Sequence, residues 1–524
     1  MKPADGQTVS MMKDTEKLLP WVACAAILLI YLLFPAKNYF FDGIAFAQAI
    51  EDARRLDTTL VHPNHLIYNV VGYLFYKLTQ AVGFQLRAIQ ALQVLDAALS
   101  VLSAYVLYQI LRLSIRSLYL CRVLALLFAF SATWWKFSTD ADAYIASVLF
   151  LLISFYLIHP ALKARPLLVA LAFSASMCFH QLAVFFYPVA ALGLYLQTAA
   201  QPMRQRVLAM LQFSAAGFLI TSGAYYYCFY LSTGRLDLPF YARWLTSFSP
   251  DASFTFHPWA NLMHTLRGHV RLLFGGRFNL LKGLINPLVV VSLLLLVSAV
   301  LFFLWRFLRN LKDLKFNWRQ ILRDEPHARP LIMLCALWMF IYVAFLFVWL
   351  PFHTFYRLFY LPALITLAGL LLAPMVAPDA GVVRRYRAAL FVLIIALSNF
   401  LFNVYPYSHT HKYPPLALAT EMNSAWPTGT IIYYANTNAD NALFKYANPA
   451  TDWRQMKPDE TLISENVLTE TYNSGRTLWL DASAIDRIAS TQQGAAWLTT
   501  HARAETLREI NNKSYYIKFI QIIP

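Results

Sequence analysis

The stretch Pro330-Leu-Ile-Met-Leu-Cys-Ala-Leu-Trp-Met-Phe-Ile-Tyr-Val-Ala-Phe-Leu-Phe-Val-Trp-Leu350 runs for 21 residues without a charge. A helix needs about 20 mainly apolar residues to cross a bilayer, because every backbone N–H and C=O must there be satisfied inside the segment. The basic run Arg306 to Arg329 precedes it and the aromatic run Pro351-Phe-His-Thr-Phe-Tyr-Arg357 follows it. Those are the flanks of a spanning helix.

The pattern recurs outward from there. Hydrophobic residues make up 59% of the 524 and charged residues 13%, too little polar surface for a water-soluble fold of this size. Apolar segments repeat from Leu18 to about Val404: 18–35, 88–111, 123–137, 144–158, 166–180, 182–197, 207–231, 284–305, 330–350, 358–376 and 388–404. Leu18 to Pro35 is long for a signal-peptide core and no small-x-small cleavage site follows, so it reads as a retained first span. The expected architecture is a polytopic α-helical membrane protein of about eleven spans, lying in residues 18–404 behind a short cytoplasmic N-terminus, 1–17.

The net charge of +16 would point a soluble protein toward nucleic acid, but here Lys and Arg sit in short runs between spans, where they report topology. No nucleic-acid partner is expected. Lys13 and Lys17, then Arg112, Arg116 and Arg122, Lys163 and Arg165, Arg204 and Arg206, Arg306 to Arg329, and Arg384, Arg385 and Arg387 mark the inner side. Residues 37–86 and 232–282 are then outer loops, and the tail, 405–524, is extracytoplasmic. In the tail, Gly429 to Tyr434, Arg476 to Leu480 and Ser514 to Ile523 read as strands and Ser483 to Ala502 as an amphipathic helix, a small α/β domain. The five cysteines fall in or beside spans at no metal-ligand spacing, so neither a disulfide framework nor a zinc site is expected. The chain reads as a multi-pass membrane protein in contact with the surrounding lipids.

The unusual polar residues gather in the outer loops. Phe41-Asp42-Gly43 follows the first span, where a carboxylate can meet a lipid headgroup and glycine allows close backbone approach. A solvated loop carboxylate is the plain alternative. His62-Pro63-Asn64-His65-Leu66-Ile67-Tyr68 opens a stretch expected as an interfacial helix. Asp140 and Asp142 precede the span at Tyr144; they can share a metal, orient a hydroxyl or move a proton, or simply cap the helix. A divalent metal, Mg or Mn, stays open, with Asp42 and Asp142 as ligand candidates.

His180 and Gln181 turn a hairpin at the same face. Tyr356 and Arg357 stand at an outer boundary, where a guanidinium can bind phosphate bidentately or snorkel in an aromatic belt. The 232–282 loop is basic, with Arg235, Arg243, Arg267, Arg271, Arg277 and Lys282, against the topology rule and in keeping with a phosphate-bearing lipid or with anionic headgroups in general. Asp96, inside the second span beyond Arg87, needs a partner from another span, and packing is the role expected of it.

In order, Asp42, the His62 to Tyr68 run, Leu86-Arg87, Ser138 to Tyr144, His180-Gln-Leu, Tyr356-Arg357 to Pro362 and the tail stretch Gly429 to Tyr446 resemble the GT-C superfamily of membrane glycosyltransferases. That superfamily includes protein O-mannosyltransferases and aminoarabinose transferases, and the likeness is to a bacterial subgroup with a soluble C-terminal tail. Gly43 stands where some members carry a second acid, and Asn64-His65 where the family has Pro-Leu. The resemblance implies inverting transfer of a hexosyl- or pentosyl-type sugar from a polyprenyl-phosphate (lipid-linked) donor to a hydroxyl of a glycan, lipid or protein acceptor. Asp42 would be the general base, assisted by Asp140 and Asp142, with His62, His65, His180, Tyr356, Arg357, Arg87 and Arg271 on the substrates. Two other readings compete: a transporter or flippase of a lipid-linked or small anionic substrate, and an O-antigen ligase-like or acyl-transferring enzyme.

Overall fold

The computed structural model describes residues 5–247, 256–276, 327–373, 382–409, 414–436, 439–457, 459–510 and 513–523, with single positions such as Phe254 and Glu325 in between. The chain divides into two compact units, Met1–Ala36 with Ala49–Pro406, and Lys37–Gln48 with Tyr407–Pro524.

The first unit is helical. Its described helices are α1 (Asp5–Leu33), α2 (Phe41–Asp52, whose first residues belong to the second unit), α3 (Tyr68–Ala81), α4 (Ala88–Ser114), α5 (Leu118–Ala129), α6 (Ala132–Ser138), α7 (Tyr144–Leu157) and α8 (Pro166–Phe179). There follow α9 (Tyr187–Gln197), α10 (Met203–Thr233), α11 (Leu238–Thr246), α12 (Pro258–Leu273), α13 (Ala328–Val348), α14 (Leu361–Leu372) and α15 (Val382–Asn399). Five segments are long and apolar enough to cross a membrane unaided: Ala88–Ser114, Met203–Thr233, Ala328–Val348, Phe355–Leu372 and Ala388–Tyr407. Shorter apolar helices, Leu18–Leu33, Tyr144–Leu157, Pro166–Phe179 and Gln181–Gln197, occupy four further expected positions. The expected span 284–305 lies largely outside the described residues.

The span expected over 123–137 differs: α5 and α6 meet at a 63° bend. Such a break frees backbone groups that hydrocarbon cannot satisfy. Asn399 meets that need, its Nδ2 donating to the carbonyls of Phe130 and Leu273 while its Oδ1 accepts the Gly275 N–H; Asn403 Nδ2 donates to the Ala132 carbonyl. The outward face is apolar, as a lipid-facing surface must be. Only 17% of the apolar window of α10 is covered by protein, against 56% for α4, so α4 runs through the bundle interior and α10 along its edge. α10 stops at Gly234, whose φ of 65° is the left-handed cap that glycine accepts without strain.

The interfacial helix expected from Asn64 is α3, preceded by a single turn at Pro63–His65. The 232–282 stretch is not an open loop, since α11 and α12 fill most of its described part; Asp237 caps α11 by accepting the Phe240 N–H. Arg277 and Lys282 lie outside the described residues.

The second unit is a five-stranded sheet of order β2-β1-β3-β5-β4, with β1 (Ile431–Tyr434), β2 (Asp452–Gln455) and β3 (Leu478–Asp481) parallel. β5 (Lys513–Ile522) is antiparallel to β3 and to β4 (Ala502–Ile510). Alternation along the strands sends Ile431, Leu478, Leu480 and Ile522 into one core and Ile432 and Phe519 into the other. The first core lies under two helices, Ala482–Ala489 and Gln492–His501, where a single one over Ser483 to Ala502 was expected.

Candidate active site

In the first unit the chemistry-bearing residues converge where α1, α6 and α8 end and α4 and α7 begin. The turn between α6 and α7 is tied down first. The Thr139 carbonyl accepts the Ala36 N–H at 2.8 Å and Gln93 Nε2 at 3.0 Å, and the same Gln93 amide donates to the Ala36 carbonyl at 2.7 Å. One buried glutamine thus joins the end of α1 to the turn.

Asp96, Asp140 and Asp142 are all fully buried around this knot. Asp96 Oδ2 accepts the Tyr68 hydroxyl and the Asp142 backbone N–H, each at 2.8 Å. The partner that Asp96 needs from another span is therefore a phenol at the start of α3 and a backbone donor ahead of α7. Asp140 pairs with Lys136, one turn earlier on α6, at 3.1 Å, and Asp142 Oδ1 takes the Tyr144 N–H at 3.3 Å. A buried carboxylate is tolerated only with such partners. Asp142 precedes Ala143, the N-cap of α7, and its side chain bonds the Tyr144 N–H at that helix start. Among the described residues no group of three or more His, Cys, Asp or Glu side chains is placed to hold a metal ion.

Next to the acids lies a ring cluster. His65 packs on His180 with centroids 4.8 Å apart and on His62 at 5.5 Å; Tyr144 lies 5.0 Å from His180, and Tyr356 5.8 Å from Tyr144. Gln181 Nε2 donates to the carbonyls of Pro63 and Leu245, fastening the hairpin to the first loop and to α11. His65 Nδ1 faces the Phe179 carbonyl and so carries the proton, whereas His180 Nδ1 accepts the Leu182 N–H, leaving its proton on Nε2. Burial pushes His62 down to about 4 and His65 to about 3, with the His62 charge adding to the latter. Both imidazoles are neutral at pH 7, donors and acceptors rather than cations.

Arg357 does not snorkel. It is fully buried, Nη1 donating to the Tyr360 hydroxyl at 3.0 Å and Nη2 to the Pro351 carbonyl at 2.7 Å. The Tyr360 hydroxyl meets His269 Nε2 at 3.0 Å, and His269 Nδ1 donates to the Thr265 carbonyl at 2.8 Å, so a chain of hydrogen bonds links the Phe355–Tyr360 turn to α12. Gly268 makes room for it: a Cβ there would lie 2.2 Å from Arg357 Nε. This guanidinium is a latch through Nη1 and Nη2 and leaves Nε without a hydrogen-bond partner among the described residues. Arg87 is likewise engaged, Nε donating to Glu51 Oε1 and Nη2 to Glu51 Oε2, each at 2.8 Å, while Oε1 also accepts the Ala88 N–H. Arg271 is exposed on the last turn of α12, where its carbonyl accepts the Thr133 hydroxyl; Arg235, Arg243 and Arg267 are exposed too.

Asp42 belongs to the second unit, in the first turn of α2, the end where the helix dipole favours negative charge. Burial nevertheless raises its carboxyl from 3.8 to about 6. Sequence reasoning passed over Glu51 and Lys136, and it gave no role of their own to Tyr68, Tyr144 and Tyr360, which lie within the quoted runs, or to His269 of the basic 232–282 stretch. Only Lys136 left a local signal, its four-residue spacing from Asp140.

No family model matches the sequence, and no curated protein matches it either. Solved structures do. ArnT from Cupriavidus metallidurans bound to undecaprenyl phosphate is similar with a TM-score of 0.60 at 10% identity, over 99% of this chain and 98% of that one. The same protein in its apo state gives 0.60 at 10%, over 97% and 98%. The Archaeoglobus fulgidus oligosaccharyltransferase, crystallised with Zn and sulfate, reaches only 0.43 at 12% identity over 92% of this chain and 72% of that one. In fold, this chain is a multi-pass helical membrane protein similar to that ArnT from end to end, with a small C-terminal sheet domain.

Proposed function

We propose that the chain transfers a sugar from a polyprenyl-phosphate donor to an acceptor hydroxyl at the outer face of a bacterial inner membrane, with the N-terminus inside and the sheet domain outside. The observation that carries the reading is the end-to-end fold likeness to a protein bound to undecaprenyl phosphate. Asp42 is the general base. Its carboxyl, raised to about 6, is ionised at pH 7 yet basic enough to take a hydroxyl proton as that oxygen bonds to the anomeric carbon. The bond from that carbon to the phosphate oxygen breaks on the opposite side, and the polyprenyl phosphate leaves with the electron pair, inverting the centre.

Within the first unit, exposed Arg243, Arg267 and Arg271 of α11 and α12 are cations of the kind a departing phosphate needs. Arg357 and Arg87, already bonded to Tyr360 and Glu51, act as positioning residues. Asp140 and Asp142 hold the turn before α7 in shape. Neutral His62 and His65, with His180 and Tyr356, suit sugar hydroxyls better than phosphate. The test is transfer by the purified full-length protein from a panel of radiolabelled polyprenyl-phosphate sugars, with Asp42→Asn beside wild type. Transfer from one donor, lost in the variant, is the expected result; no transfer from any donor would overturn the reading.

A further inference from the structure

A cavity of about 180 Å³ lies between α1, α4 and α5. Pro20, Ala23, Ala104, Tyr105 and Leu126 make its wall apolar, and Arg122 is the one charged residue lining it. Arg122 Nε is buried with no hydrogen-bond partner, and no ion pair of Arg122 occurs among the described residues. An arginine in a membrane protein normally finds a counter-charge or a carbonyl, because the uncompensated cation is costly there. The rim faces lipid: Leu19 and Trp21 are 43% and 58% exposed, and Trp21 stacks on Tyr105 at 4.8 Å.

An apolar slot beside a guanidinium whose buried Nε has no partner among the described residues suits a molecule with a long hydrocarbon chain and an anionic head. Its place in the membrane narrows the choice. Tyr108, also in the lining, lies twelve residues beyond Asp96 on α4, or ~18 Å along the helix at 1.5 Å per residue. A lipid whose phosphate meets Arg122 therefore has its head in the leaflet opposite the acid and histidine cluster, and it is not a donor poised for transfer there.

We infer that this recess binds an anionic phospholipid, one acyl chain lying along Ala23, Ala104 and Leu126 and the phosphate taking two hydrogen bonds from Arg122. The site is separate from the transfer chemistry and does not depend on that reading. Arg112 and Arg116, at the same end of α4 and α5, add to its preference for negative headgroups.

Native mass spectrometry of the full-length protein in detergent, titrated with phosphatidylglycerol or phosphatidylcholine, tests it. Wild type should retain one phosphatidylglycerol with about tenfold higher affinity than phosphatidylcholine, and Arg122→Gln should lose about that factor, the size of a charge-assisted hydrogen bond, while Arg122→Lys keeps most of it. Ala23→Phe, filling the slot from a half-buried position with Arg122 intact, should abolish retention of both lipids. Equal phosphatidylglycerol affinity in wild type and Arg122→Gln would overturn the inference, as would retention of added undecaprenyl phosphate in preference to phosphatidylglycerol.

Discussion

Asp42 offers the sharpest test, because burial moves its carboxyl from 3.8 to about 6, into the range where enzymes are assayed. A base must be deprotonated to act. A carboxyl of pKa 6 is ionised to roughly 9% at pH 5 and roughly 91% at pH 7, whereas an ordinary aspartate is already about 94% ionised at pH 5. The kcat/KM of transfer should therefore rise about tenfold from pH 5 to pH 7 and level off above. Asp42→Asn should lower kcat by a factor of about 10² to 10⁴, the usual worth of a positioned base.

The variant should not lose activity by unfolding. A carboxyl whose folded pKa is raised stabilises the fold fully only below its unfolded value of 3.8, and that contribution is lost as pH rises through about 6. At pH 7.5 the neutral amide escapes the penalty, so Asp42→Asn should melt no lower than wild type. The assay is initial-rate transfer of a radiolabelled sugar at half-unit pH steps, with thermal melts of both proteins alongside. A rate independent of pH between 5 and 7, or an Asn variant within a few fold of wild type, would refute the assignment.

Other outcomes follow from the packing. Asp96→Ala removes the acceptor shared by the Tyr68 hydroxyl and the Asp142 N–H and should cost about 2–5 kcal/mol in thermal or denaturant unfolding, while Asp96→Asn, which keeps an acceptor, should cost less. Gly268→Ala places a Cβ against Arg357 and should destabilise by about 1–3 kcal/mol, the usual cost of overpacking, seen as a lowered Tm by tryptophan fluorescence. Asn399→Leu leaves the Phe130 and Leu273 carbonyls and the Gly275 N–H without their partner and should cost at least about 2 kcal/mol by the same measurement. For orientation, alkaline phosphatase fused after Pro524 should be active in a bacterial host and a fusion within 306–324 inactive; the reverse would invert the proposed topology.

Much of the fold was legible in the sequence because its determinants are local. A run such as Pro330 to Leu350 declares its solvent by itself, and hydropathy and loop charge laid out the order of spans, including segments that are short in the structure. Alternating hydrophobic residues marked β1, β3 and β5, whereas β2, with Trp453 as its one apolar residue, and β4 escaped. That His62, His65, His180 and Tyr356 share one ring cluster is a product of packing that no short window of sequence states.

What a residue does once it is there was a matter for tertiary structure. Arg357 reads equally well as a phosphate fork or a snorkelling cation until Tyr360, Pro351 and a glycine on α12 enclose it. Asp96 waits on a phenol 28 residues away and a backbone N–H 46 residues away, and the Arg357 chain reaches His269, 91 residues before Tyr360. Solvent preference and strand alternation are properties of a short window of chain. The partner of a buried charge is chosen only when distant segments pack, so the sequence by itself determined a membrane protein with a sheet-bearing tail, and only the folded chain decided which of its charges are latches.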